Sequence, residues 1–278
     1  MLMNDDIRLK IIYKEAYAFL QNQSGEITLR KQLDYYHLCK PSSINMVFRQ
    51  MINSLKNKQG YVHFISDLDE MKDILCNFEP KDVFAKYGTN WESLFMEFKK
   101  QFGSTKKMDI TNKRNSWVMY SRWVLSCAKF LSHFDWIKEF HDFVTSFTYN
   151  EFTIASLPML LEKEIFWFGF PLACDFLKEL GYVQYGKPDI HIKDIFEGLK
   201  MVDNYSDYEA FKKIVKIGLL VWEDPVIVDK IFWLIGSGSF YEDGKKVLSI
   251  SRKKSEFITY INSKLNEEDS KNDQSPVV

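Results

Sequence analysis

The segment YGKPDIHIKDIF, residues 185–196, places one carboxylate where a charged group could do chemistry. Counted from Asp189, the apolar residues Ile192, Phe196 and Leu199 follow at helical spacing and form one stripe, on which Asp189 also lies. A carboxylate on a buried face is costly unless the free N–H groups and partial positive charge of a helix start stabilise it. Asp189 is therefore either an ordinary N-cap or a negative group held in place for a function.

Residues 156–181, just before this segment, have the pattern of two helices joined by a very short turn. Ser156 can cap the first helix, Gly169 permits the turn, and Pro171 suits the first position of the second helix, which Gly181 ends. Such a tight connection directs the free N–H groups of the second helix outward together. The hairpin therefore predicts a seat for a phosphate group.

A helix-hairpin-helix, then a loop with glycine and proline, then an aspartate that opens the next helix resembles the helix-hairpin-helix (HhH-GPD) DNA glycosylase superfamily, endonuclease III-like members in particular. The matching residues are Ile165, Phe168, Gly169, Ala173, Phe176 and Leu177 in the hairpin, Gly181, Gly186 and Pro188 in the loop, and Asp189 in the place of the catalytic acid. The resemblance implies that Phe168, Gly169 and Phe170 of the hairpin, and Gly186 and Lys187 of the loop, contact DNA.

This chain departs from the family's pattern at two positions. Trp167 stands at the first turn position of the hairpin, where the family usually has glycine. Pro171 stands where bifunctional members carry the lysine that attacks the sugar, so we expect no strand-cleaving lyase activity. Lys187 is a candidate substitute for that lysine, although contact with a phosphate is the simpler role for a loop lysine.

The resemblance implies a monofunctional enzyme that hydrolyses the bond between deoxyribose and a damaged, mismatched or modified base. The base must leave the duplex stack before its glycosidic bond can be reached. Asp189 would then stabilise the positive charge on the sugar and orient or deprotonate a water molecule. Two alternatives stay open: a non-catalytic helix-hairpin-helix DNA-binding protein, and a structural α-helical protein in which Asp189 is only a cap.

Further candidate DNA contacts lie outside the hairpin. Asn57 and Gln59 follow the second clear helix, roughly where relatives carry a polar residue that fills the space left by a flipped base. The most basic stretch runs from Lys99 to Arg114, and its candidates for DNA binding are Lys106, Lys107, Lys113 and Arg114. A solvated loop is the competing interpretation of this charge. The same two interpretations apply to a second basic cluster, which consists of Lys245, Lys246, Arg252, Lys253 and Lys254.

Composition narrows the class of protein. The four cysteines, Cys39, Cys76, Cys127 and Cys174, are scattered without a CxxC pair, so we expect no structural zinc and no iron–sulfur cluster. The spacing of Asp189, His191 and Asp194 fits no common metal-ligand motif, and we expect no metal and no cofactor. With no secretory pattern and no membrane-spanning run, we expect an intracellular, cytoplasmic protein. The resemblance implies that it is a monomer whose partner is double-stranded DNA.

Helical periodicity covers nearly the whole chain, which predicts an all-α fold. The family's architecture implies a six-helix domain at residues 41–184, a second helical cluster formed by 1–40 and 185–265, and an active-site cleft between them. Residues 266–278 are polar and predict a disordered tail. Strand signals are limited to Tyr61–Ile65 and Val247–Ile250.

Overall fold

The computed structural model describes residues 4–34, 40–57, 67–242, 245–250 and 253–273, and these are mostly α-helical, as predicted. The helices within this part of the chain are α1 (Asp5–Ser24), α2 (Glu26–Asp34), α3 (Ile44–Asn53), α4 (Pro80–Tyr87), α5 (Trp91–Phe102), α6 (Ser116–Leu131), α7 (Ile137–Ser146), α8 (Ser156–Glu164), α9 (Phe170–Glu179), α10 (Ile190–Gly198), α11 (Asp207–Val221), α12 (Pro225–Ser237) and α13 (Lys254–Asp273). Two short antiparallel strands, β1 (Ser239–Glu242) and β2 (Lys245–Ser249), pair between α12 and α13.

The chain divides into two compact units. The middle unit is Cys39–Tyr182, and the terminal unit combines Met1–Leu38 with Val183–Val278. The boundaries expected from the family's architecture, at residues 41 and 184, fall two residues from these. The terminal unit is therefore built from both ends of the chain.

Helix α6 organises the middle unit because its sequence is apolar on most faces. Helices α3, α4 and α5 all pack against it. The rings of Tyr120 and Trp123 on α6 are fully buried, together with Phe95 and Phe98 of α5. Bulky aromatic packing of this kind is what the high aromatic content of the sequence leads one to expect.

In the terminal unit, α12 takes the corresponding central position. It packs against α1, α10 and α11. The predicted stripe of α10 is confirmed, because Ile192, Phe196 and Leu199 are all fully buried in the core of this unit. Gln32 of α2 is also buried, and its amide bonds the backbone of Tyr241, which ties α2 to β1.

Two expectations for the chain's organisation need correction or qualification. The disordered tail predicted from Asn266 is wrong as far as Asp273, because α13 continues to that residue. Extending a helix that is already nucleated adds one hydrogen bond per residue at low cost, and Lys264 pairs with Glu267 at 3.7 Å along the same helix. The strand predicted at Tyr61–Ile65 lies outside the described residues, whereas that at Val247–Ile250 overlaps β2.

Candidate functional site

Asp189 is the N-cap of α10. Its Oδ1 atom accepts hydrogen bonds from the backbone N–H groups of His191 at 2.8 Å and Ile192 at 3.1 Å. The residue is half-buried, and among the described residues no donor is found for its second oxygen, Oδ2. One carboxylate oxygen thus stabilises the helix start, which leaves the other for a water molecule or a ligand.

The loop before Asp189 is held by a carboxylate on α12. The N–H of Lys187 donates to Oδ2 of Asp229 at 2.8 Å, and Asp229 is buried. Gly186 is buried as well: a Cβ atom there would lie 2.7 Å from both Cγ2 of Ile214 and the backbone oxygen of Pro225. Close packing against α11 and α12 therefore explains the glycine, which was predicted to contact DNA.

Asp194 on α10 is satisfied by its neighbours. Burial alone would raise its pKa, but hydrogen bonds from Lys254 and from Tyr205, the latter at 2.6 Å, lower the pKa below its ordinary value. Burial and the same bond raise the pKa of Tyr205. Lys193 lies 4.5 Å from the centre of the Tyr205 ring and pairs with Asp207 at 2.6 Å. These contacts hold the side chains on this surface of α10 in place. The negative charge of the Asp194 carboxylate is already neutralised by its partners.

His191 packs against α12. A Cβ atom placed on Gly236 of α12 would lie 2.6 Å from the Cβ atom of His191. Helices α10 and α12 approach each other closely at this glycine, so the Cα and Cβ atoms of His191 lie in the contact between the two helices. Within the described ranges, no group of three or more His, Cys, Asp or Glu residues could hold a metal ion.

The hairpin of the middle unit consists of α8, a turn at residues 165–169, and α9. Gly169 is the N-cap of α9, and a Cβ atom there would meet nothing within 4 Å. The rings of Phe168 and Phe170 are buried, and Phe168 packs edge-on against Trp123 at 5.0 Å. Any contact of Phe168 or Phe170 with a ligand must therefore use backbone atoms.

Trp167 keeps the backbone conformation that glycine would favour at its position. Its φ angle is +66°, in the left-handed region that a residue with a Cβ atom adopts at a cost of roughly 1 kcal/mol. The sequence therefore departs from the family's hairpin pattern only in the side chain at residue 167. The backbone at that residue keeps the left-handed conformation. Pro171 is the second residue of α9 and offers neither an amine nor an N–H.

The other predicted DNA contacts are spread over the middle unit. The amide of Asn57 donates to Asp175 of α9 at 2.8 Å, and Asp175 forms a buried ion pair with Lys178 at 3.1 Å. This bond holds Asn57 against its own unit, although the residue is exposed. Gln59 lies outside the described residues.

The basic residues between α5 and α6 lie on a loop. Lys107, Lys113 and Arg114 are exposed and Lys106 is half-buried. Asp109, the single acid of the loop, accepts the hydroxyl and N–H of Thr111, and these bonds lower its pKa. No ion pair joins the four cations to any described residue, so their charge faces solvent.

The second basic cluster is divided between secondary-structure elements. Lys245 and Lys246 are exposed on β2, whereas Lys253 pairs with Glu256 at 2.6 Å.

Asp229 is the residue that sequence reasoning missed. Together with Lys230 it interrupts the apolar sequence VIVDKIFWLIG of α12, and a single acid in such a sequence is a signal for a buried, hydrogen-bonded carboxylate. Its partner, the backbone of Lys187, is distant in sequence, which is why the pattern of one segment does not reveal it.

Among the described residues, no helix combines the length and apolar character needed to cross a membrane. No protein-family model, no curated protein and no solved structure matches this chain.

Proposed function

We propose that this protein is a monofunctional DNA glycosylase, which hydrolyses the N-glycosidic bond of a damaged, mismatched or modified base flipped out of duplex DNA. The observation that carries the proposal is the placement of Asp189. Its Oδ1 atom caps α10, and its Oδ2 atom has no donor among the described residues. A carboxylate held in this way by a helix start keeps an anionic oxygen oriented without further reorganisation.

In the proposed reaction the bond between C1′ and the base nitrogen breaks, and its electron pair leaves with the base. The sugar becomes positively charged, and Oδ2 of Asp189 stabilises that charge. A water molecule then bonds to C1′ and transfers a proton to Asp189 or to solvent, while the departing base takes up a proton. The products are the free base and an abasic site.

The nature of two further residues supports hydrolysis rather than strand cleavage. Pro171 occupies the position of the family's attacking lysine, so the start of α9 supplies no amine for a Schiff base. Lys187 stands two residues before Asp189, and its backbone is fixed by Asp229. We assign its ammonium group to a phosphate of the substrate. The protein would act as a cytoplasmic monomer.

The test is a panel of duplexes, each carrying one altered base, assayed for abasic sites with and without hot alkali. We expect at least one duplex to break only after alkali, and Asp189→Asn to abolish this. Strand scission without alkali would contradict the monofunctional assignment. Salt-sensitive duplex binding without base release would favour a non-catalytic hairpin protein, and absence of duplex binding would favour a purely structural role for Asp189.

A further inference from the structure

A pocket of about 420 Å³ opens in the middle unit beside the hairpin turn. We call it the Arg122 pocket, and its chemically important lining residues are Arg122, Ser126, Lys129, Lys163, Glu164 and Phe166. Residues from α6, the end of α8 and the first hairpin-turn positions thus face one space. None of them was among the residues predicted to contact DNA.

Two contacts between α6 and the turn give the pocket a fixed floor. The guanidinium carbon of Arg122 lies 4.0 Å from the centre of the Phe166 ring, close enough for a cation–π interaction. The Oγ atom of Ser126 accepts the N–H of Phe166 at 3.0 Å and donates to the carbonyl oxygen of Trp123 at 2.8 Å. The turn and the arginine therefore hold each other in place.

The charge of this pocket is positive. Arg122 and Lys129 are seven residues apart on α6 and so lie on the same helix face, and Lys163 joins them from α8. Glu164 is the one acid among the lining residues, and no ion pair joins any of the three cations to the described residues. Because one carboxylate cannot balance three cations, the cations repel each other, and binding of an anion in the pocket would offset this repulsion.

We propose that the Arg122 pocket binds a phosphate group, and that this phosphate belongs to the backbone of a DNA strand. Arginine stacked on an aromatic ring presents its N–H fork to phosphate oxygens, and lysines add point charge. The pocket is larger than a single phosphate, and Trp91 at its edge offers a ring beside the strand. Phosphate chemistry follows from the pocket alone, whereas the assignment to a DNA strand rests on the proposed function.

The test compares two pairs of lysine substitutions in the full chain. Lys129→Ala with Lys163→Ala removes two exposed charges from the pocket, and Lys72→Ala with Lys138→Ala removes two exposed charges elsewhere in the middle unit. Binding of a labelled duplex with an abasic-site analogue is measured by anisotropy over a range of salt concentrations. Removing one lysine–phosphate interaction should reduce the slope of log K against log salt by about 0.9.

We expect the pocket pair to weaken binding at least about tenfold at low salt and to reduce the slope by about 1 to 2, with a much smaller change for the control pair. Equal effects of the two pairs, or no duplex binding by the unsubstituted protein, would overturn the proposal. Inorganic phosphate, titrated by calorimetry, separates the two sources of the ligand. Tight phosphate binding that the pocket pair abolishes, with an unchanged DNA slope, would show a small phosphorylated ligand instead of a strand.

The pocket proposal and the glycosylase proposal can be refuted separately. If no duplex loses a base while the pocket pair still reduces the salt slope, the glycosylase proposal is wrong and the pocket assignment stands. If a base is released in an Asp189-dependent manner and the slope is unchanged, the pocket assignment is wrong. We expect thermal unfolding of both double variants to match that of the unsubstituted protein, since all four lysines are exposed.

Discussion

Replacing Asp189 by asparagine separates the two roles of its carboxylate. The amide oxygen of asparagine can accept the same N–H groups, of His191 and Ile192, that Oδ1 accepts now. Asparagine is as good an N-cap as aspartate, so the cap itself changes little in energy. What the substitution removes is the negative charge at the start of α10 and on the oxygen proposed to face the sugar.

The structure allows the two effects to be given different magnitudes. Loss of charge at a helix start costs about 0.3–1 kcal/mol, so Asp189→Asn should lower Tm by no more than about 3 °C. Asp189→Ala loses the cap as well, which adds about 1 kcal/mol and a few degrees more. Base release should fall at least about 100-fold in both variants, because the reaction loses its positioned base and its stabilising charge.

The decisive measurement is single-turnover release of the altered base from the best duplex of the panel, alongside thermal unfolding and duplex affinity. We expect Asp189→Asn to bind the duplex and to unfold nearly as the unsubstituted protein does, while releasing almost no base. An asparagine variant that retains a rate within about threefold would refute the reasoning, because Asp189 would then be a cap and nothing more.

Gly186→Ala should lower the free energy of unfolding by about 2 kcal/mol, because its Cβ would lie 2.7 Å from a backbone oxygen, whereas Gly169→Ala should change it by less than about 1 kcal/mol; urea titrations that fail to separate them would contradict this packing argument. Trp222→Gly should raise the free energy of unfolding by about 1 kcal/mol, since Trp222 has a φ of +59° and 94% of the residue is exposed. A lower free energy of unfolding in the same urea titration would show that the Trp222 side chain makes stabilising contacts. Asp194→Asn should flatten the decline of stability with acid: burial alone would raise the pKa of Asp194, but hydrogen bonds lower it overall, so its stabilisation is present above the unfolded value of about 3.9 and is lost as the pH falls through the lower folded value. Equal acid sensitivity of the variant and the unsubstituted protein in a Tm series from pH 5 to about pH 2 would contradict that sign.

Local patterns predicted the helices well wherever the apolar spacing was long. The apolar stripe predicted after Asp189, for example, is the buried face of α10. Helix α4 carries a weaker signal of its own, because it is short and buries only a few residues, with Glu79 as an unusual N-cap. Strand β1 was missed, since a strand this short carries little signal of its own and depends on its pairing with β2.

The candidate site shows where sequence reasoning reaches its limit. That Asp189 caps a helix follows from residues within one turn of it, and the structure has those bonds. That Gly186 and Lys187 are anchored by Asp229 depends on how α12 folds back onto the loop. The Arg122 pocket is likewise lined by residues from separate helices. The periodicity of one segment cannot predict which residues of other segments lie beside it.

The discontinuous terminal unit has a consequence for the order of folding during synthesis. Helix α1 emerges from the ribosome early, yet α11 and α12, against which it packs, are made only after the whole middle unit. Because chains fold from the N-terminus as they are made, the middle unit can reach its native state while α1 still lacks α11 and α12. Its apolar stripe, with Leu9, Ile12 and Leu20, must stay soluble through that interval. A chaperone that binds short hydrophobic helices could cover this segment until α11 and α12 have been made.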